Sequence, residues 1–477
     1  MNFKMIWYIL GWIMIFSALF MLLPMITALV YGETELFSFL AAAALSTAAG
    51  MFFVVRKPEK RTLHARDGFI IVSLSWIVLS LFGALPFKFS GVIPDFTDAL
   101  FETVSGYTTT GATIISDVEV LPKCMLIWRS FTHWIGGMGV LVFIMAFVNL
   151  SGGQNMHIMR AESPGPSVSK LVPRIRTTAV ILYTIYIAMT VIELILLLCG
   201  GMSFFEAFNT AIATAGTGGF GFRNDSMGSF SPYIQIVVTV FMLLFSVNFS
   251  SYYLLIKKRP RDAFNSEFRW FIVIIAVAVT IITINISGLY DNIGDALRHA
   301  AFTVATIMST TGFAVTDHNQ WPELSRCLIV ILTFIGACAG STGGGIKISR
   351  IIILIRGIGK ELENLVHPRQ VKKIMIDGNA IGHDVVRSVN VYMVCYVLIY
   401  VFSMLILSFD NHDFITNFTA VAATINNVGP GLELVGPAGN FEFFSPISKM
   451  VFIFDMLAGR LELFPVLVLL YPATWKK

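Results

Sequence analysis

Four short stretches of this sequence run up to a glycine, three of them through hydroxyl-bearing residues. They read YTTTGAT at 107–113, ATAGTGGFG at 213–221, MSTTGFA at 308–314 and INNVGPG at 425–431. The residues that carry the pattern are Thr109, Thr110 and Gly111, then Thr217 and Gly218, then Thr311 and Gly312, and finally Val428 and Gly429. None is a nucleophile beside a base, and no His, Cys or carboxylate cluster accompanies them. What they offer is oxygen: hydroxyls, and main-chain carbonyls left unobstructed where glycine has no side chain. Rings of such oxygens replace the water shell of a dehydrating cation. The sign of the ion is supported separately. Segments 103–113, 210–222 and 419–431 contain no Lys, and Asp98, Asp117, Glu119, Asp225, Asp317 and Glu323 lie nearby in the same connections. Arg223, just beyond the second stretch, reads as a rim residue.

Each stretch is preceded by an apolar segment of about ten to twelve residues, too short to cross a bilayer as a helix. Such a segment can enter and return, provided its irregular end is enclosed in protein or lines a wet cavity. An aromatic residue stands ten positions before the glycine in three stretches: Phe101, Phe208 and Phe302. From Phe418 to Gly429 the count is eleven, which points either to a local insertion or to an anchor misplaced by one residue. One such glycine would ordinarily read as a helix cap or a packing contact. Four at corresponding places read as span, re-entrant helix, Gly-centred strand, span, repeated around an axis. The short helices then aim their negative C-terminal ends at the midplane, which favours a cation there.

The bulk of the chain fits that reading. The hydrophobic set makes up 56% of it, and only 13% is charged; a soluble domain carries about 25% charged residues. Apolar runs near 6–30, 36–55, 69–89, 125–149, 178–200, 231–256, 270–290, 326–355, 388–409 and 447–472 give ten expected spans. The connections 56–67, 150–176, 257–269 and 347–387 hold 22 of the 33 Lys and Arg, and all four fall on one side of that count. The positive-inside rule makes this side cytoplasmic, and both termini with it. The first run lacks a signal-peptide cleavage pattern and is expected to be retained as a span. The expected fold class is an all-α polytopic membrane protein. Its parts are two extra N-terminal helices (1–60) and four units at 61–150, 151–260, 261–365 and 366–477. Cys124, Cys199, Cys327, Cys338 and Cys395 form no CxxC pair and read as small apolar residues. A formal charge of +4 gives no case for nucleic acid.

The eighth run is the irregular one. Ile335–Arg350 reads IGACAGSTGGGIKISR, and each glycine costs about 1 kcal/mol in a helix interior. A break is expected at Gly340, Ser341, Thr342, Gly343, Gly344 and Gly345, forming a mobile loop that narrows the pathway from below. Lys347 and Arg350 are expected near the inner mouth, where they could link the loop to a cytosolic partner. Arg460, in the last run, is a charge at membrane depth and is expected to be functional or paired with Asp455 or Glu462. Asn248 is a weaker candidate for the inner pathway. The GTGGFG at 216–221 imitates a dinucleotide fingerprint but lacks its strand–helix setting, and GSTGGGIK is a poor match to a phosphate loop. Scattered His133, His157 and His299 make no catalytic set, so no enzyme activity is expected.

Taken together, the four glycine stretches, HWIGGMG at His133–Gly139, AESPGP at Ala161–Pro166, PRIRTTA at Pro173–Ala179 and GSTGGGIK at Gly340–Lys347 resemble the Trk/Ktr/HKT potassium transporter superfamily. Within it they resemble the bacterial TrkH/TrkG-type membrane subunits, over essentially the whole chain. The resemblance implies a K⁺ pathway with Gly111, Gly218, Gly312 and Gly429 as filter glycines and 340–345 as the family's intramembrane loop. It implies Arg460 near the constriction, a homodimer in the lipid bilayer of the bacterial inner membrane, and a cytosolic TrkA/KtrA-like nucleotide-binding ring. Gly111, where some Na⁺-preferring relatives have Ser, favours K⁺, and no stretch carries the full TVGYG of tetrameric channels. The alternative on the same scaffold is a proton- or Na⁺-coupled symporter; Glu193 lies inside span five, but no carboxylate relay is evident.

Overall fold

The computed structural model describes residues 1–58, 63–139, 175–369 and 373–476. The 150–176 connection (apart from its last two residues), the AESPGP segment, His157 and the distal part of the 125–149 run lie outside them. The described chain is helical apart from one two-stranded hairpin, Met375–Ile376 with Asn379–Ala380. Among the described residues, six helical stretches are long and apolar enough to cross a membrane: Phe3–Tyr31, Leu36–Val54, Arg66–Ser90, Thr177–Cys199, Ser266–Leu289 and His383–Asp410. The first two are the extra N-terminal pair. They cross where Gly11 meets Gly50, each glycine leaving room for the other's carbonyl.

The remaining four lead the four repeated units. A short helix follows each: Phe96–Tyr107, Phe204–Gly216, Ile293–Met308 and Phe414–Ile425. Then comes a trailing helix, beginning at Lys123, Pro232, Glu323 and Pro446. The leading helices turn apolar side chains outward, as Val394, Leu398, Phe402 and Leu405 show. That is the expected surface where lipid replaces water.

The trailing helices of units 2 and 4 correct the expectation that, apart from the eighth run, the spans are continuous. In unit 2, Pro232–Phe245 and Phe249–Ile256 meet at 89°. In unit 3, Glu323–Phe334 and Ile348–Val366 are separated by the glycine-rich loop. In unit 4, Pro446–Arg460 and Phe464–Leu470 are separated by Glu462 and Leu463, both in the left-handed region. The break in unit 3 was expected from its glycines; those in units 2 and 4 were not.

Candidate ion pathway

The four short helices begin and end alike. At each N-terminus a side-chain oxygen takes a free amide, the role that favours Asp, Ser and Asn there. Asp95 accepts from Thr97 and Asp98 at 2.8 and 3.1 Å, Ser203 from Glu206 at 3.3 Å, Asn292 from Asp295 at 2.8 Å and Asp413 from Thr416 at 2.8 Å. The Asp98 amide, with that of Thr97, holds the Asp95 carboxyl below its usual range. At each C-terminus a non-glycine residue turns left-handed: Thr109, Thr217, Thr310 and Asn427, with φ of 56, 53, 57 and 54°. The next amide reaches back five residues. Thr110 donates to Ser105 at 2.9 Å, Gly218 to Ala213 at 3.1 Å, Thr311 to Thr306 at 2.9 Å and Val428 to Ala423 at 2.8 Å. This is a Schellman closure. A β-branched residue in that region costs about 1–3 kcal/mol, strain of the kind that gathers at functional sites.

A glycine with positive φ follows in every unit: Gly111, Gly219, Gly312 and Gly429, at 81, 75, 89 and 97°. These four close a ring. A methyl group built on Gly111 would lie under 3.0 Å from the Gly218 carbonyl oxygen, and one on Gly219 equally close to that of Thr311. One on Gly312 meets Val428, and one on Gly429 meets Thr110. The contacts run from unit 1 to 2, 3, 4 and back to 1. Four strands therefore surround one axis, with the backbone of Thr110, Gly218, Thr311 and Val428 at a common level. Above it, all four glycines line an outer cavity of about 160 Å³. Arg223 lies at its rim and pairs with Glu206 at 2.9 Å. The Asn224 side chain bonds Asp117 at 2.8 Å and holds that carboxyl below its usual range.

The ring corrects the second anchor. Gly219, not Gly218, occupies the glycine position; Gly218 stands where Thr110, Thr311 and Val428 stand. The count from the aromatic is then ten in units 1 and 3, and eleven in units 2 and 4. The fourth spacing was neither an insertion nor a misplaced anchor.

Below the ring lies the glycine-rich loop. Its base is pinched where Gly336 donates to the Ile346 carbonyl at 2.9 Å. Its tip docks against the ring's underside, the Gly344 amide donating to Thr310 Oγ1 at 2.7 Å. Its flank fills the break in unit 2. Cys338 N–H donates to the Ser246 carbonyl at 3.1 Å, Thr342 Oγ1 to the Phe245 carbonyl at 3.1 Å, and Phe249 N–H to the Gly340 carbonyl at 3.0 Å. Groups freed by the break are thus paired by the loop, as buried backbone requires. Asn248 caps the helix after the bend, accepting from Ser250 at 2.8 Å, and is a structural cap next to Gly340.

Two cations enclose the loop. Arg460 donates to the Thr342 carbonyl at 2.6 Å and to the Gly136 and Gly137 carbonyls at 2.5 and 2.8 Å, tying the loop to the trailing helix of unit 1. Among the described residues its hydrogen bonds go to these carbonyls, and it forms no ion pair with Asp455 or Glu462. Lys347 is buried and folds back onto the Gly343 and Gly344 carbonyls. Arg350 is buried against Glu462 and over the Tyr392 ring at 4.1 Å. Both therefore face into the protein, not toward a cytosolic partner as expected.

A family model described as "TrkH: Cation transport protein" matches residues 35–477. The chain belongs to this family. The Trk system potassium uptake protein TrkH of Salmonella typhimurium is 37% identical over 487 residues, covering 100% of both chains. TrkG of Escherichia coli K12 is 34% identical, with 99% of each covered. The crystal structure of the potassium transporter TrkH from Vibrio parahaemolyticus superposes with a TM-score of 0.91 at 35% identity, again over 100% of both chains. The chain is thus a multi-pass, channel-like membrane protein of the TrkH type, and not an enzyme.

Within this TrkH fold, the roles of three side chains behind the ring escaped the sequence reading. Glu102 and Arg129 form an ion pair at 2.8 Å with both side chains almost fully buried. Glu102 also accepts from the Ile114 amide at 3.1 Å, and Arg129 reaches the Gly221 carbonyl at 3.2 Å. The pair therefore holds the strands leaving the ring in units 1 and 2. His133, fully buried, donates from Nδ1 to the Gly106 carbonyl at 2.7 Å and accepts the Phe220 amide at Nε2, 3.2 Å. At the same counts from the starts of the other trailing helices stand Val238, Ile329 and Phe452, then Met242, Thr333 and Met456. The departure of unit 1 from that pattern was the available signal. Removing one partner of a buried pair costs about 3–5 kcal/mol. Glu102→Gln is therefore expected to lower the unfolding midpoint of detergent-solubilised protein by several degrees. An unchanged midpoint would show that the pair does not hold the strands.

Proposed function

We propose that this chain moves K⁺ across the bacterial inner membrane, as the pore subunit of an uptake system. The cation sheds water at the carbonyls of Thr110, Gly218, Thr311 and Val428, each buttressed by a neighbouring glycine. The closed glycine-to-carbonyl ring is the observation that carries the reading. No anionic site is needed, because dipoles substitute for hydration, and the helix C-termini beneath add negative potential. The names of the relatives, potassium uptake proteins, supply the choice of K⁺.

In this reading the loop Gly340–Gly345 is the gate. Held against Thr310, it fills the space below the ring, and Lys347 and Arg460 put positive charge there. Opening requires the loop to leave Thr310 and the Phe245–Phe249 break. The force comes from a cytosolic nucleotide-binding ring of the TrkA/KtrA kind, acting on a homodimer with one pore per subunit. The unit boundaries at 61–150, 151–260, 261–365 and 366–477 are part of the same proposal.

The test is flux into liposomes under K⁺, Rb⁺ and Na⁺ gradients, with and without the regulatory ring. K⁺ and Rb⁺ are expected to enter well ahead of Na⁺, without need of a pH gradient. Uptake that tracks an imposed pH gradient would favour the coupled symporter instead. Shortening 340–345 is expected to raise basal flux and blunt the response to the ring; unchanged flux and regulation would remove the gate from this loop.

A further inference from the structure

A carboxylate outside the pathway holds both ends of the gate loop. Glu267 lies in the first turn of the leading helix of unit 3, Ser266–Ile286. One of its oxygens, Oε1, accepts the Ala339 amide at 2.8 Å and the Ser349 amide at 3.2 Å. Ala339 stands just before the glycine-rich tip and Ser349 just after it. A single acceptor thus fixes the distance between the two arms. The preceding residue, Ser266, is held in turn by Asp377. That carboxylate accepts the Ser266 amide at 2.9 Å and its hydroxyl at 2.5 Å, and pairs with Arg269 at 3.4 Å.

Asp377 sits at the turn of the hairpin Met375–Ala380, whose residues Met375, Gly378, Asn379 and Ala380 are exposed. The same hairpin touches the outgoing arm of the loop, because Arg356 donates to the Met375 carbonyl. It lies in the 347–387 connection, the most basic of the four on the side assigned to the cytoplasm. An exposed hairpin therefore grips the helix turn that clamps the loop.

We propose that Glu267 is the positioning residue of the gate loop and that the Asp377 hairpin is the lever through which a cytosolic load reaches it. The proposal rests on the loop being the gate. Pulling the hairpin away releases Ser266, shifts the helix turn, and frees Ala339 and Ser349 together.

The test uses the full chain in liposomes, with ⁸⁶Rb⁺ uptake and hydrogen exchange of the 336–350 peptides. Asp377 is at the surface, so Asp377→Ala is expected to fold normally. It should raise the maximal uptake rate by about two- to fivefold, the range an exposed ion pair supports. The KM and the Rb⁺ to Na⁺ preference should not move, and exchange in 336–350 should quicken. Glu267→Gln, which keeps one oxygen acceptor, should do less than Glu267→Ala. Adding Asp377→Ala to Glu267→Ala should give no further gain. Unchanged rate and exchange in Asp377→Ala, or additive effects in the double variant, would overturn the lever. The loop-shortened variant separates the two readings: if it alone changes flux, the gate stands and the lever falls; if it changes nothing, the gate falls first.

Discussion

Gly219→Ala is expected to reduce K⁺ uptake to near background, with loss of preference over Na⁺ in whatever remains. The added methyl would overlap the Thr311 carbonyl oxygen, a backbone atom of the next strand that cannot rotate away. Its φ of 75° adds a second cost, about 1–2 kcal/mol for any residue with a Cβ. Since 1.4 kcal/mol is a factor of about ten, strain alone predicts a loss of about five- to thirtyfold, before the displaced carbonyl is counted. Gly111→Ala, Gly312→Ala and Gly429→Ala should behave alike, because each meets a neighbouring carbonyl in the same ring. Gly218→Ala is the informative contrast. There the obstruction is the His133 ring, a side chain. Trimming it in a Gly218→Ala, His133→Ala double variant should restore part of the uptake lost in the single variant. No side-chain trimming should rescue Gly219→Ala. The reverse pattern, rescue at Gly219 and none at Gly218, would place the ring at the wrong glycine.

That contrast also marks how far the sequence could be read. The four units were legible because span length, short apolar segments and basic connections are properties of composition, fixed by bilayer thickness and charge asymmetry. The register of unit 2 was not. The doublet Gly218-Gly219 offers two equal anchors, and Phe208 gave a spacing of ten only by matching the wrong one. The left-handed Thr109, Thr217 and Thr310 run against every local preference, so no propensity argument finds them; the closed ring imposes them. The unit 3 break was visible as a crowd of glycines. The unit 2 break at 246–248 contains neither Gly nor Pro. It exists because a loop nearly a hundred residues later in the sequence supplies partners for the freed backbone groups. The unit 4 break did leave a trace in Pro465, in the first turn of the second half-helix, where proline is tolerated because its missing N–H has no helical partner. Arg129 and His133 were visible as polar residues in an apolar run, but their roles depend on Glu102, Gly106 and Phe220, which only folding brings near.

Arg460→Ala should raise uptake in the absence of the regulatory ring by on the order of tenfold or more. The guanidinium bridges the Thr342 carbonyl of the loop and the Gly136 and Gly137 carbonyls of unit 1. Hydrogen bonds to a charged group contribute about 1.5–3 kcal/mol each, and only those lost on opening favour the closed loop. Losing the Thr342 contact alone is worth about one decade in the ratio of open to closed loop. Removing a positive charge beneath the ring acts in the same direction. Arg460→Lys separates the two contributions. A lysine keeps the charge but is a compact point donor and cannot span three carbonyls as a planar guanidinium does. If bridging dominates, Arg460→Lys should leak nearly as much as Arg460→Ala; if charge dominates, it should stay nearly as closed as the native chain. Because both contributions favour closure, a fall in uptake at an unchanged unfolding midpoint would contradict the assignment of Arg460 to the gate. A fall in uptake together with a lowered midpoint would make Arg460 a structural tie between units 1, 3 and 4.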